Sequence, residues 1–134
     1  MMLTAAVTAL LPAAALLSSA LTAPATGASL PTLAQAFNNV YLDGGLSINY
    51  LGARAPAFIA RLLEMAPFRK ILYSSDGFGP AELHYLGALL WRRGIHRVLG
   101  GFVDVGDWSE ADATRVVDLV ARKNAARLYR LDTT

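Results

Sequence analysis

The sequence predicts an α/β fold built on a parallel sheet, and three observations carry the prediction. From residue 31 onward, β-prone runs alternate with helical stripes in the order strand, helix, strand, helix, helix, the pattern of βαβ units. Ile71, Leu72 and Tyr73 form an unbroken apolar run inside the second strand, as expected of a parallel strand covered on both faces. Hydrophobic residues make up 54% of the 134 residues, above the roughly 45–50% of soluble domains, so there is enough apolar surface for a core. The length fits one domain. Two strands leave both edges of a sheet unpaired and are fewer than a stable sheet uses, so the pattern reads as part of something larger.

The elements follow in order. Residues 1–30 are rich in Ala, Leu, Thr and Ser and are set apart from residues 31–134. Three readings of them stay open. A signal peptide would place its apolar region at Leu3 to Leu21 and its cleavage site between Thr22 and Ala28, although no positive flank precedes it. A membrane span needs about twenty apolar residues, and Pro12 and Ser18-Ser19 interrupt this one. The third reading is a low-complexity or mispredicted start. Beyond it, Leu33, Ala34 and Phe37 share a helical face, so Pro31 to Phe37 reads as a short helix opened by Pro31. Asn38-Asn39 breaks it, Val40 to Asp43 reads as a strand, and Gly44-Gly45 closes that strand.

Phe58, Ile59, Leu62, Leu63 and Met65 then give a helix over Ala57 to Met65, ended by Pro67. Lys70 to Asp76 is the second strand. Gly77-Phe78-Gly79 turns the chain into a helix from Pro80 to about Arg93, with Leu83, Leu86, Leu89 and Leu90 on its buried side. A linker runs through Gly100-Gly101 and Gly106. Ser109 then reads as an N-cap, with Asp112 completing a short capping-box variant. The last helix aligns Ala113, Val116, Val117, Val120 and Leu128 on one stripe and exposes Arg115, Asp118, Arg122 and Lys123.

Charge narrows the function classes. All charged residues, 12 basic and 10 acidic, lie from Asp43 onward, and the net charge is +2. The signs are interleaved, and Asp118 with Arg122 has the i,i+4 spacing of a solvated helix face. The one basic cluster, Arg92-Arg93 with Arg97, is too small for a nucleic-acid footprint. With no cysteine there are no disulfides, thiolate ligands or thiol nucleophiles.

Asp76 is the leading candidate for chemistry. It ends an apolar strand and precedes a Gly-rich turn into a helix, and in α/β barrels catalytic residues gather at the C-terminal ends of strands. A carboxylate there can ligate a metal or take a proton from water; it can also cap the turn by bonding nearby backbone N–H groups. Asp43 holds the equivalent place after the first strand, where Asp-Gly-Gly is equally an ordinary turn composition. His84 falls within a helix and His96 in a basic turn. Neither belongs to a His-x-His or His-Glu-x-x-His pattern, so both read as structural or surface residues. Ser74-Ser75 lacks the Gly-x-Ser-x-Gly elbow and a placed His base. Trp91 and Trp108 read as packing residues.

From Lys70 the run KILYSSDGFGPAELHYLGALLWRRGI, with the closing VARKNAARLYRL, resembles the C-terminal part of the amidohydrolase-related (amidohydrolase-2 type) family. Upstream, LAQAFNNVYLDGGLS is similar to that family's penultimate helix-to-strand passage, and the resemblance covers about Leu33 to Leu131. It implies a partial (β/α)8 barrel of the TIM type: roughly the last two strands, their helices and a C-terminal helix. It also implies a metal-dependent hydrolase of amide, ester or related C–N and C–O bonds, with zinc or another divalent metal in the intact enzyme. Asp76 matches the aspartate after the last barrel strand, which binds metal or moves a proton for the attacking water.

The chain departs from the family in lacking the His-x-His and the ligands of the middle strands, and a whole barrel needs about 250 residues. The expectation is therefore a truncated portion that binds no catalytic metal alone. The competing expectation is a non-catalytic half-barrel that associates with a complementary N-terminal portion or with itself. A small-molecule substrate is expected for the intact enzyme, with no nucleic acid and no membrane partner. The expected location is cytoplasmic, or secreted if residues 1–28 act as a signal peptide.

Overall fold

Three short parallel strands organise the fold in a computed structural model that describes residues 15–18, 30–45 and 47–131. Strand β1 (Ala15–Ser18) pairs with β2 (Val40–Asp43) from Ala15↔Val40 to Ser18↔Asp43. Strand β2 pairs with β3 (Ile71–Leu72) through Leu42↔Ile71 and Asp43↔Leu72. The strands lie side by side in their chain order. Between and after them come α1 (Leu30–Ala36), α2 (Ser47–Leu51), α3 (Ala55–Met65), α4 (Glu82–Asp104), α5 (Glu110–Asp118) and α6 (Asn124–Tyr129). Single 3-10 turns occupy Gly52–Arg54 and Phe68–Lys70, and a π turn at Leu119–Lys123 joins α5 to α6.

The alternation and the parallel sheet are as the sequence predicts, and β2 keeps its predicted bounds. Val40, Leu42 and Asp43 are buried and only Tyr41 is half-exposed, the pattern of a strand covered on both faces. The strand count differs. A third strand, β1, arises inside the apolar N-terminal segment, whose four residues Ala-Leu-Leu-Ser reveal no strand period to set against a helix. Residues 1–14 and 19–29, including the signal-like cleavage site, lie outside the described residues. Among the described residues no helix is long and apolar enough to cross a membrane.

The second predicted strand is cut short. Of Lys70 to Asp76, only Ile71 and Leu72 are β, with Lys70 in a 3-10 turn and residues 73–78 outside regular structure. The side chains of Ser74 and Ser75 accept hydrogen bonds from the backbone two residues on, which draws the chain out of the ladder. Helix α4 differs in the other direction, running to Asp104 through Gly100 and Gly101 of the predicted linker, while Gly106 lies beyond it. Its buried side is formed by Gly87, Trp91, Ile95 and Leu99, whereas Leu86 of the predicted stripe is exposed and Leu83, Leu89 and Leu90 are half-buried. Gly94 is needed for close packing: a Cβ there would lie 2.5 Å from Ile59 Cδ1 of α3. The conformational freedom of glycine weakens a helix by only about 1 kcal/mol, and burial of the flanking side chains outweighs it.

The core joins β2 and β3 to α3, α4 and the α5–α6 segment, with Leu42, Ile59, Ile71 and Val120 at its centre. Val116 and Val120 are buried as predicted, and Ser109 caps α5 by accepting from the Asp112 N–H at 3.1 Å. Lys70 Nζ donates to the carbonyls of Ala34 (2.6 Å) and Phe37 (2.7 Å). It thereby adds a cationic donor to the carbonyls at the C-terminal end of α1, that of Phe37 also accepting the Val40 N–H, and ties that helix to the base of β3.

Candidate functional site

Asp76 stands on the loop from β3 to α4, four residues beyond the strand rather than at its end. Its backbone is left-handed, with φ at 44°, and its side chain is exposed. Non-glycine residues seldom take this conformation, although Asp is among those that tolerate it. Two bonds hold it. The Asp76 N–H donates to Ser74 Oγ at 3.0 Å, and the Gly77 N–H donates to Ser75 Oγ at 3.4 Å. Both the metal-ligand and the turn-capping readings of the sequence concern this residue. Here the serines, not the Asp76 side chain, accept the turn's backbone N–H groups.

Ser75 is the most constrained residue of the loop. Asn49 Nδ2, from α2, donates to the Ser75 carbonyl at 3.3 Å. His84 Nδ1 lies 2.9 Å from Ser75 Oγ, with the donor set by the imidazole tautomer. Gly87 lets α4 approach, since a Cβ there would fall 3.0 Å from the Ser75 Cβ. The His84 ring covers Gly77 so closely that a Cβ on Gly77 would meet it at 2.8–2.9 Å. The sequence reading left Ser75 without a placed histidine, and the structure corrects this. The Gly77–Gly79 turn returns α4 across the loop and puts His84 against Ser75. Asn49 was missed as well, because α2 is too short for a periodic signal.

Two contacts anchor β3 to the C-terminal segment beneath this loop. In the π turn the Asn124 N–H donates to the Leu119 carbonyl, five residues back. In an α-helix it would bond Val120, so the π turn leaves the Val120 carbonyl free. That carbonyl accepts the Tyr73 N–H at 3.0 Å, just past the end of β3. The fully buried Asn124 side chain donates through Nδ2 to the carbonyls of Phe68 and Ile71, each at 2.7 Å. Tyr73 packs its ring 5.6 Å from that of Trp91, and burial pushes its phenol above the ordinary tyrosine range, partly offset by Arg92. Trp108 lies 5.5 Å from both Phe68 and Phe102, so both tryptophans serve packing.

The remaining candidates divide by place. Asp43 closes β2 at the end of the sheet from which the Asp76 loop emerges. It is 5% exposed, buried where Asp76 is open to solvent. His96 is exposed on α4, twelve residues beyond His84, or about 18 Å along the helix, and takes no part in the loop. Among the described residues no group of three or more His, Cys, Asp or Glu side chains could hold a metal ion. A catalytic metal centre takes about three protein ligands, so the described residues alone do not fit one. A surface cleft lies elsewhere, between α4 and α5 beside Ile95, Leu99 and Val117.

The comparisons agree with this architecture. The amidohydrolase family profile matches residues 22–131, beginning within the apolar N-terminal segment. Protein fluG of Emericella nidulans is 31% identical over 101 residues, which are 75% of this chain and 12% of that protein. A solved Lactobacillus casei structure, described as a metal-dependent hydrolase, superposes with a TM-score of 0.68 at 23% identity. The match covers 78% of this chain and 28% of that one. The chain thus spans about an eighth of the curated relative and under a third of the structural one. Because the family match runs over most of its length, the chain belongs to the amidohydrolase family.

Proposed function

We propose that the chain forms the closing arc of an amidohydrolase-type (β/α)8 barrel, in which Asp76 is the working carboxylate for hydrolysis of an amide, ester or related C–N or C–O bond. One observation carries the reading. Asp76 is exposed just beyond the C-terminal end of a sequentially ordered parallel sheet, in a left-handed backbone held by Ser74 and Ser75. That end of a barrel is where catalytic groups gather. A carboxylate fixed there takes the proton from the attacking water and returns it to the leaving group.

A divalent metal, zinc by family resemblance, would supply electrophilic activation. Its other ligands would come from barrel strands beyond this chain, so the chain alone binds no catalytic metal and is inactive. The test is to assay the chain by itself and mixed with a barrel portion that carries His-x-His, using p-nitrophenyl acetate and an anilide as probes. Turnover is expected only in the mixture, with Asp76→Asn lowering kcat by about 10²–10⁴-fold while the fold is retained. Stoichiometric zinc and turnover in the chain alone would sink the incomplete-site reading, and an Asp76→Asn mixture as active as the parent would sink the role of Asp76.

A second reading is favoured by the sheet itself. Among the described residues, β1 and β3 are its two edges, and parallel sheets normally have their edges paired or covered. A non-catalytic role through association would use these edges against a complementary portion or a second copy. Sedimentation separates the two forms: a monomer at all concentrations speaks against self-association.

A further inference from the structure

Ser75 is held at its carbonyl, its Cβ and its hydroxyl, and the residue after it, Asp76, has a left-handed backbone. Its carbonyl is held by Asn49, its Cβ is packed at the Gly87 notch, and its hydroxyl takes the Gly77 N–H and meets His84 Nδ1. Asn49 comes from the helix after β2, whereas His84 and Gly87 come from the first turns of α4. Two separate segments, α2 and α4, thus converge on one serine, although Ser75 has no place in the chemistry proposed for Asp76. Such convergence has a mechanical meaning. A left-handed Asp persists only where its surroundings over-determine it, and the two backbone N–H bonds that do so are accepted by the hydroxyls of Ser74 and Ser75.

We propose that His84 is a positioning residue: through its hydrogen bond to Ser75 Oγ and its ring over Gly77, it holds the loop that sets Asp76 in place. The role rests on the reading of Asp76 as the working carboxylate. It needs no particular protonation state, because Ser75 can donate to an unprotonated Nδ1 or accept from a protonated one. Neither Ser75 nor His84 attacks the substrate in this scheme. His84 is exposed, so its removal leaves the core intact and reaches the site through the loop alone.

The test uses the full chain and two substitutions. His84→Ala removes the bond and the ring, whereas His84→Asn sets an amide near the place of Nδ1 and keeps a partner for Ser75. Amide hydrogen exchange is followed by NMR residue by residue. In His84→Ala the Asp76 and Gly77 amides are expected to exchange about tenfold faster, the ratio a single hydrogen bond supports, with core amides unchanged. His84→Asn should restore protection. In the mixture with the complementary barrel portion, kcat should fall about tenfold in His84→Ala at unchanged KM and recover in His84→Asn. Unaltered exchange at Asp76 and Gly77 in His84→Ala, or no recovery in His84→Asn, overturns the positioning role. The exchange result stands apart from catalysis, so an Asp76→Asn variant that keeps its kcat removes the underlying reading and is not confused with failure of the loop contact.

Discussion

Asn124 shows how much one side chain contributes beneath the site. It is 0% exposed, and its amide donates to two carbonyls from the turn before β3 and from β3 itself, 56 and 53 residues away in sequence. A carboxylate would face both oxygens without a donor, and an aliphatic side chain would leave both unsatisfied. Asn124 Oδ1 has no hydrogen-bond partner, so the net gain is below that of two ideal bonds. Replacing Asn124 with Leu should lower stability by about 2–4 kcal/mol in urea unfolding, because two buried acceptors lose their donor. A loss under about 0.5 kcal/mol, the range of surface substitutions, would show that the carbonyls find other donors. Asn124 lies in the Asn-Ala-x-x-Leu-Tyr run that carries the family resemblance, so its position is legible in the sequence. Its bonding is not, since nothing local points to Phe68 or Ile71.

At the scale of elements, the contact of α3 with α4 turns on Gly94. Gly94→Ala adds a methyl 2.5 Å from Ile59 Cδ1, at a residue with no exposure. Helix propensity favours the alanine by about 1 kcal/mol, but overpacking a closed core costs about 1–3 kcal/mol, so a small net loss is expected. Ile59→Val removes that methyl and alone costs about 0.5–1.5 kcal/mol. The double variant should therefore be more stable than the sum of the two predicts, with coupling of about 1 kcal/mol in a thermal or urea cycle. Strict additivity would mean that Ile59 simply turns away.

The end of α5 carries a different kind of prediction. Asp118 meets Lys123 at 2.5 Å and Arg122 at 3.2 Å. The Lys123 hydrogen bond, aided by both cations and opposed by desolvation, holds its carboxyl below the usual range. A depressed folded pKa gives stability that is present above the unfolded value, near 3.8, and lost as pH falls through the lower folded one. The melting temperature of Asp118→Asn should thus approach that of the parent on acidification below about pH 4, and salt should narrow the difference at neutral pH. The i,i+4 spacing of Asp118 and Arg122 is visible in the sequence. The approach of Lys123, at i+5, belongs to the π turn, where helical period ceases to describe the chain.

For the whole molecule, the α/β alternation, the bounds of β2, the buried Val116 and Val120 of the last helical stretch and the Ser109 cap are legible in the residues alone. Each depends on residues close together in the chain, where period and turn chemistry act directly. The sequence by itself also determined the membership of the amidohydrolase family, and Asp76 as the residue to consider first, from a strand, a Gly-rich turn and a helix in succession. Tertiary structure decided the rest. Close packing on Ile59 carried α4 through Gly94, and serine-to-backbone bonds ended β3 early and left Asp76 four residues beyond it. The parallel partner β1 emerged from a segment with no strand period, and a π turn freed Val120 to hold Tyr73. His84 was carried to Ser75, and Asn49 to the carbonyl of the same residue. These outcomes share a physical cause: each is a contact between residues distant in sequence or a departure from regular geometry, and local propensity is too weak to specify either once burial and hydrogen-bond satisfaction compete with it.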